Sequence, residues 1–179
     1  MKGFLDSTCL INEELFNNVI TEIITQIFNN IRSSSLSNNW PEAELGLHLL
    51  YIYIEGRNSK GIPIFVNELG DMNALGILIS RMIESGKNNI NLEISFYPHP
   101  SIPVTYFEVI IRCAQFFEIR DNYTTNVLQS FLDQRGLYNP IKAIRTRVNY
   151  LFLRYVKCAR QVLGKYVESI LTVLKVFFF

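Results

Sequence analysis

The chain has 179 residues, 49% hydrophobic and 13% aromatic, with 17 Lys and Arg against 16 Asp and Glu. That length and apolar content suit one domain with a real core and exclude a disordered chain, which lacks the apolar side chains needed to offset its conformational entropy. The net charge of +1 hides an asymmetry: Asp6, Glu13, Glu14, Glu22, Glu42, Glu44 and Glu55 face only Lys2, Arg32, Arg57 and Lys60 in the first third, whereas the last third is basic.

In chain order the pattern predicts helices and loops only. Residues 12–32 place Leu15, Val19, Ile23, Ile27 and Ile31 at helical intervals, and a Ser/Asn-rich run closes the helix. A second helix over 41–55 carries Leu45, Leu49, Ile52 and the aromatic pair Tyr51 and Tyr53. Residues 57–70 read as a loop punctuated by Gly61 and Pro63. Asp71 then caps a helix through Ser85 that Gly86 ends. Residues 88–103 form the longest connection. Leu92, Ile94 and Phe96 alternate there like a strand, but a lone strand has nothing to pair with, so the stretch reads as loop or the first turn of a helix. Further helices are expected over 104–117, 124–133, 140–160 and about 165–178. Asn139 and Pro140 open the third of these, because a cap residue and a first-turn proline both suit a helix start. Seven helices without a convincing strand pair make an all-α array of antiparallel hairpins. Such HEAT-like units stack into an α-solenoid because none buries its apolar face alone.

Targeting and chemistry are excluded piece by piece. Cys9, Cys113 and Cys158 lack CxxC spacing, and an odd count without a secretory signal reads as reduced, intracellular and structural. The apolar residues 170–179 are too few to span a bilayer and contain Lys175, so no membrane insertion is expected. Val173, Leu174, Val176 and Phe177 to Phe179 are expected to leave an exposed apolar edge. His48 and His99 have no Cys or His at ligand spacing, so no metal or other cofactor is expected. Glu42 and Glu44 are two apart on a helix and face different directions, so they are no acid/base pair. Gly56, Gly61, Gly70 and Gly76 make no phosphate loop, and the Asn122-Tyr123-Thr124 sequon has no role without secretion. No catalytic constellation emerges, so the chain reads as a binding protein and not as an enzyme.

The segment from Phe131 to Leu171 is the most distinctive. Its helix repeats Ile141, Ile144, Val148, Leu151, Phe152, Tyr155, Val156 and Ala159 along one face. Arg135, Lys142, Arg145, Arg147, Arg154, Lys157, Arg160 and Lys165 crowd it, against the acids Asp133 and Glu168. Arg147 and Arg154 are seven apart on the polar face, with Lys157 and Arg160 further round. These four could track the phosphates of a polyanion, with a merely solvated face as the other reading. Arg145 lies at the edge of the apolar stripe, where a charge needs a partner; Asp133 is the nearest candidate for a structural ion pair.

The wording FLDQRGL, IRTRVNYLFLRYVK and YVESIL resembles the exportin-T family, importin-β-type receptors that carry tRNA out of the nucleus. NNWPEAELGLHLLYIYIEG and YFEVIIRCAQFFE resemble two further helices of that family in the same order, so the likeness is strongest from about 40 to 171 within one HEAT-repeat segment, 1–179. The resemblance implies tRNA, Ran-GTP and nuclear pore components as partners, no active site of its own, and shuttling between nucleus and cytoplasm. The family's receptors are several times longer. Their N-terminal Ran-binding repeats and their C-terminal repeats have no counterpart here, so the chain reads as a segment of such a receptor. The alternatives are a generic HEAT scaffold for protein partners, or a truncated product without function.

Overall fold

A computed structural model describes residue 3 and residues 12–33, 39–58, 64–84 and 94–178 of the chain. From residue 12 on, the helices among the described residues are α1 (Glu13–Ser33), α2 (Trp40–Asn58), α3 (Ala74–Glu84), α4 (Ser101–Arg112), α5 (Ala114–Ile119), α6 (Thr124–Leu132), α7 (Lys142–Cys158), α8 (Arg160–Leu163) and α9 (Val167–Phe178). Single 3₁₀ turns occupy Ile94–Phe96, Asp121–Tyr123 and Gly164–Tyr166. Among the described residues there is no strand. The bridge between Val66 and Met72 stands alone. The all-α reading holds, and the Leu92 to Phe96 alternation yields a 3₁₀ turn over its described part.

The helices stack in two rows. One row runs from α2 to α4 to α7, the other from α1 to α3 to α6, and α1 also packs on α2. This is the architecture of a solenoid, in which each unit buries its apolar face on the next. Aromatic rings join the rows at the centre. Phe131 of α6 stacks on Phe107 of α4 at 4.2 Å and on Tyr155 of α7 at 5.2 Å. Phe117 of α5 meets Tyr155 edge-on at 5.7 Å. All four side chains are fully buried.

Local chemistry explains where the helices start and stop, and corrects several expected limits. Asn12 Oδ1 accepts the Leu15 N–H at 2.9 Å, a side-chain cap on α1. The helix after Asp71 is capped by Asn73 instead, whose Oδ1 accepts the Gly76 N–H at 3.0 Å while its Nδ2 donates to the Ile64 carbonyl. A Cβ at Gly76 would stand 2.3 Å from the Phe65 carbonyl oxygen, so only glycine lets this loop lie against α3. The expected end at Ser85 and Gly86 lies outside the described residues. α4 begins three residues earlier than expected, because Pro103 sits in its first turn, where a missing N–H costs nothing.

Two helices expected to be continuous are broken. The chain bends at Cys113 (φ −91°, ψ 16°) between α4 and α5, and at Ala159 (φ −99°, ψ 20°) between α7 and α8. Both are small residues with no exposed surface. The break at Gly136 is where expected: the Leu137 N–H turns back to the Phe131 carbonyl at 2.8 Å, and a Cβ on Gly136 would strike that same carbonyl.

The apolar face of α1 is not the expected one. Of the expected stripe Ile31 is buried and Ile27 packs on the core, but Leu15, Val19 and Ile23 are 59%, 45% and 40% exposed, and Ile20, Ile24 and Phe28 are buried in their place. At the other end Ile170 is buried and Leu174 packs on the core, with Val173 half-buried. Val167 and Leu171 are exposed. The side chains of Val176 to Phe179, expected at an apolar edge, lie outside the described residues, as does Cys9.

Candidate nucleic-acid interface

α7 exists as a half-buried helix because its apolar residues recur on one side. Ile144, Val148, Leu151, Phe152 and Tyr155 are buried against α4 and α6, and Ala159, just beyond the helix, is buried too. Ile141 is exposed, since α7 starts at Lys142, two residues later than the Asn139-Pro140 opening suggested. Asn139 still organises the entry: its Oδ1 accepts the Ile141 N–H at 3.0 Å.

The opposite side of α7 carries the candidate contacts. Tyr150, 51% exposed, stands between two guanidinium groups, with Arg147 5.5 Å and Arg154 6.0 Å from its ring centre. The positions 147, 150 and 154 follow from helical spacing, and attraction between cation and ring face steadies all three side chains. Arg147 also donates to Glu108 Oε1 of α4 at 2.5 Å, so its charge is already matched across the row. Lys157 is exposed near the end of α7. Arg160 is exposed too, but it opens α8 beyond the bend at Ala159 and is not on the same helix. The structure thus brings Arg147 and Arg154 together around Tyr150, with Lys157 and Arg160 following toward α8. Sequence reasoning missed Tyr150, although its place three and four residues from two arginines was a readable signal.

The proposed Asp133–Arg145 ion pair does not form. Arg145 is half-buried and donates to the carbonyls of Asn139 (2.6 Å) and Pro140 (3.0 Å), holding the loop that enters α7. Asp133 is bound by Arg135, two residues away, through Nε (3.0 and 2.9 Å) and Nη2 (2.6 Å). The physical reason is local. The turn through Gly136 folds Arg135 back over Asp133 before α7 begins, leaving Arg145 with the carbonyls of its own entry loop. Arg135 is itself only 5% exposed, and its guanidinium lies 4.3 Å over the Phe96 ring.

Other chemistry is sparse. Among the described residues no group of three or more His, Cys, Asp or Glu side chains is placed to hold a metal ion. His48 is exposed and lies parallel to the Tyr51 ring at 6.4 Å. His99 stacks on Trp40 at 3.9 Å and shares a hydrogen bond with Ser101 Oγ. Cys113 is buried, which pushes its thiol pKa well above the usual range, and Cys158 is exposed. Among the described residues no helix is long and apolar enough to cross a membrane.

The family model of exportin-T matches residues 1–178. The chain is 28% identical over 166 residues to exportin-T of Aspergillus oryzae, covering 92% of this chain and 15% of that protein. It is 27% identical over 171 residues to exportin-T of Mus musculus, covering 96% of this chain and 17% of that protein. An exportin-T of Aspergillus fumigatus is 28% identical over 164 residues. The chain therefore spans about 15% of the length of the curated relatives it matches first.

Proposed function

The chain belongs to the exportin-T family, and from that membership we propose that it works as a segment of a receptor that carries tRNA from nucleus to cytoplasm together with Ran-GTP. The match over almost the whole chain carries this reading. In it, the segment is a binding scaffold and not an enzyme. Ran supplies the free energy of directionality by hydrolysing GTP, nuclear pore components are transient partners, and the receptor shuttles between the two compartments.

The α7 face supports the RNA part of the proposal. Arg154, half-buried, and the exposed Lys157 and Arg160 follow one another along the end of α7 and the start of α8, and Arg147 joins them once its Glu108 partner is displaced. Guanidinium and ammonium groups in a row attract phosphates without reading sequence, which suits a carrier that must accept many tRNAs. Shape and backbone are the features that distinguish folded RNA at such a surface. Tyr150 offers a flat, exposed ring in the middle of the row.

The test is a chimera. This segment replaces its counterpart in a full-length exportin-T, and tRNA binding is measured with and without Ran-GTP. The proposal expects tRNA binding that requires Ran-GTP and falls as salt rises. If the chimera bound an acidic protein but no tRNA, the segment would be a general HEAT scaffold.

A further inference from the structure

We propose that Tyr150 stacks on an unpaired base of the bound RNA, so that the α7 face favours strands with accessible bases over continuous duplex. This contact rests on the RNA reading of that face and goes beyond its phosphate contacts. α7 sets the ring on its solvent side: at about 100° per residue, Tyr150 lies roughly 140–160° round the helix from the buried Val148 and Tyr155. Tyr150 is accordingly 51% exposed.

The two arginines hold this ring loosely. Arg147 and Arg154 stand 5.5 and 6.0 Å from its centre, whereas Arg135 lies 4.3 Å over Phe96 and Arg112 lies 4.8 Å over Tyr51. The Tyr51 pair is closed: Tyr51 is half-buried, and Arg112 is engaged by its hydroxyl and by Glu55. At Tyr150 half the side chain stays in solvent. A flat base lying between a ring and a guanidinium group needs about 7 Å between them, twice the van der Waals contact distance of about 3.5 Å. The present separations have to open by only about 1–1.5 Å, a movement that long arginine side chains accommodate. Arg154 has the shorter way to go, since Arg147 is held by Glu108.

The arrangement complements a nucleotide. An unpaired nucleotide within a strand is a flat base with a phosphate on each side, and Tyr150 is a flat ring with a cation one helical turn before it and one after. Aromatic rings and guanidinium planes both stack on bases, and they do so whatever the base, because every base has a π-face. Bases inside a duplex already have both faces covered by their neighbours. The ring therefore adds affinity where bases are unpaired, while the cations act on any phosphate.

The experiment titrates the intact chain at low salt with a short single-stranded RNA, with the same strand lacking its central bases, and with the strand annealed to its complement. The first two carry the same charge and differ only in stacking faces. Fluorescence anisotropy of an end label reads the affinities. The base-bearing strand should bind about tenfold tighter than the abasic one, the scale of one stacked base. Tyr150→Leu should remove that preference and weaken the single strand about tenfold more than the duplex. Tyr150→Phe, which keeps the ring, should retain most of the preference. Equal affinity of the two strands for wild type, or a preference that survives Tyr150→Leu, would overturn the assignment. So would an equal loss on the duplex, or a Tyr150→Phe variant that behaves like Tyr150→Leu, which would give the contact to the hydroxyl. In each case the phosphate reading stands if changing Arg154, Lys157 and Arg160 to Gln still weakens both strands. Absence of binding by all three probes would remove both readings.

Discussion

Arg147 of α7 reaches across the helix row to Glu108 of α4, with Nη2 2.5 Å from Oε1. The pair is half in solvent, so its contribution to stability is small, on the order of 0–1 kcal/mol. Its consequence for the proposed RNA interface is larger. Glu108 neutralises a charge at the start of the basic row, and a phosphate reaching Arg147 must displace a carboxylate first.

Glu108→Gln should therefore raise affinity for RNA modestly, about two- to fivefold at low salt, the scale of one freed surface charge. It should also steepen the salt dependence. Arg147→Gln should cost less RNA affinity than Arg154→Gln, because Arg147 is matched by Glu108 before RNA arrives. Filter binding of both variants in the chimeric receptor checks the order, and a larger loss at Arg147 would contradict it.

The two faces of α1 separate in their response to substitution. Val19→Ser, on the exposed side, should change stability by less than about 0.5 kcal/mol. Ile24→Ala, where the side chain is fully buried, should cost about 2–5 kcal/mol. Urea denaturation of the two variants distinguishes this arrangement from one in which Leu15, Val19 and Ile23 form the core face.

α1 is apolar on two sides, and the expected series Leu15, Val19, Ile23, Ile27, Ile31 is as regular as the buried series Ile20, Ile24, Phe28, Ile31, with which it shares its last member. Periodicity locates a helix, but only the neighbours α2 and α3 decide which stripe they cover. α7 was legible because just one of its sides is apolar, and its buried residues were anticipated from Ile144 to Tyr155. The helix breaks at Cys113 and Ala159 left no mark in the sequence, since neither residue is a glycine or proline. Nor could spacing foresee that Arg135 would claim Asp133, because that depends on the turn that Gly136 permits. The basic residues of the site were visible one by one. Their pairing with Glu108 and Tyr150 needed the helix row.

Arg135 should prove a structural keystone despite its charge. It joins Asp133, Ser95 Oγ (3.2 Å) and the Phe96 ring, tying the Ile94–Phe96 turn to the loop after α6. Arg135→Ala should cost about 2–4 kcal/mol, since it removes packing and strands partly buried acceptors. Arg135→Lys should recover only part, because an ammonium cannot make the bidentate contact. Thermal denaturation of the two variants gives the comparison, and equal stability of Arg135→Ala and wild type would refute it.

Alkaline stability follows from the buried acids. Burial, and then the neighbouring Tyr106, Tyr166 and Asp121, hold the Tyr155 pKa above its ordinary 10.0. Burial likewise raises Cys113 above 9.0. In the unfolded chain these groups lose their protons at their ordinary values while the folded state keeps them. Stability is thus complete below about pH 9 and falls as pH rises beyond it. Tyr155→Phe, which removes an unpartnered hydroxyl, should leave the protein as stable or about 1 kcal/mol more stable at neutral pH. It should also soften the alkaline decline, as urea midpoints taken at about pH 7 and pH 10 would show.

The central claim, that the basic face of α7 and the start of α8 hold tRNA by its phosphates, is tested most directly by a salt titration. tRNA affinity is measured in the chimeric receptor with Ran-GTP, for wild type and for a variant with Arg154, Lys157 and Arg160 all changed to Gln. Each lost phosphate contact should remove about 0.7–0.9 from the slope of log K against log salt. The account predicts a flatter slope and weaker binding for different tRNAs alike. A triple variant that bound tRNA as tightly as wild type, with the same slope, would show that this face is only solvated.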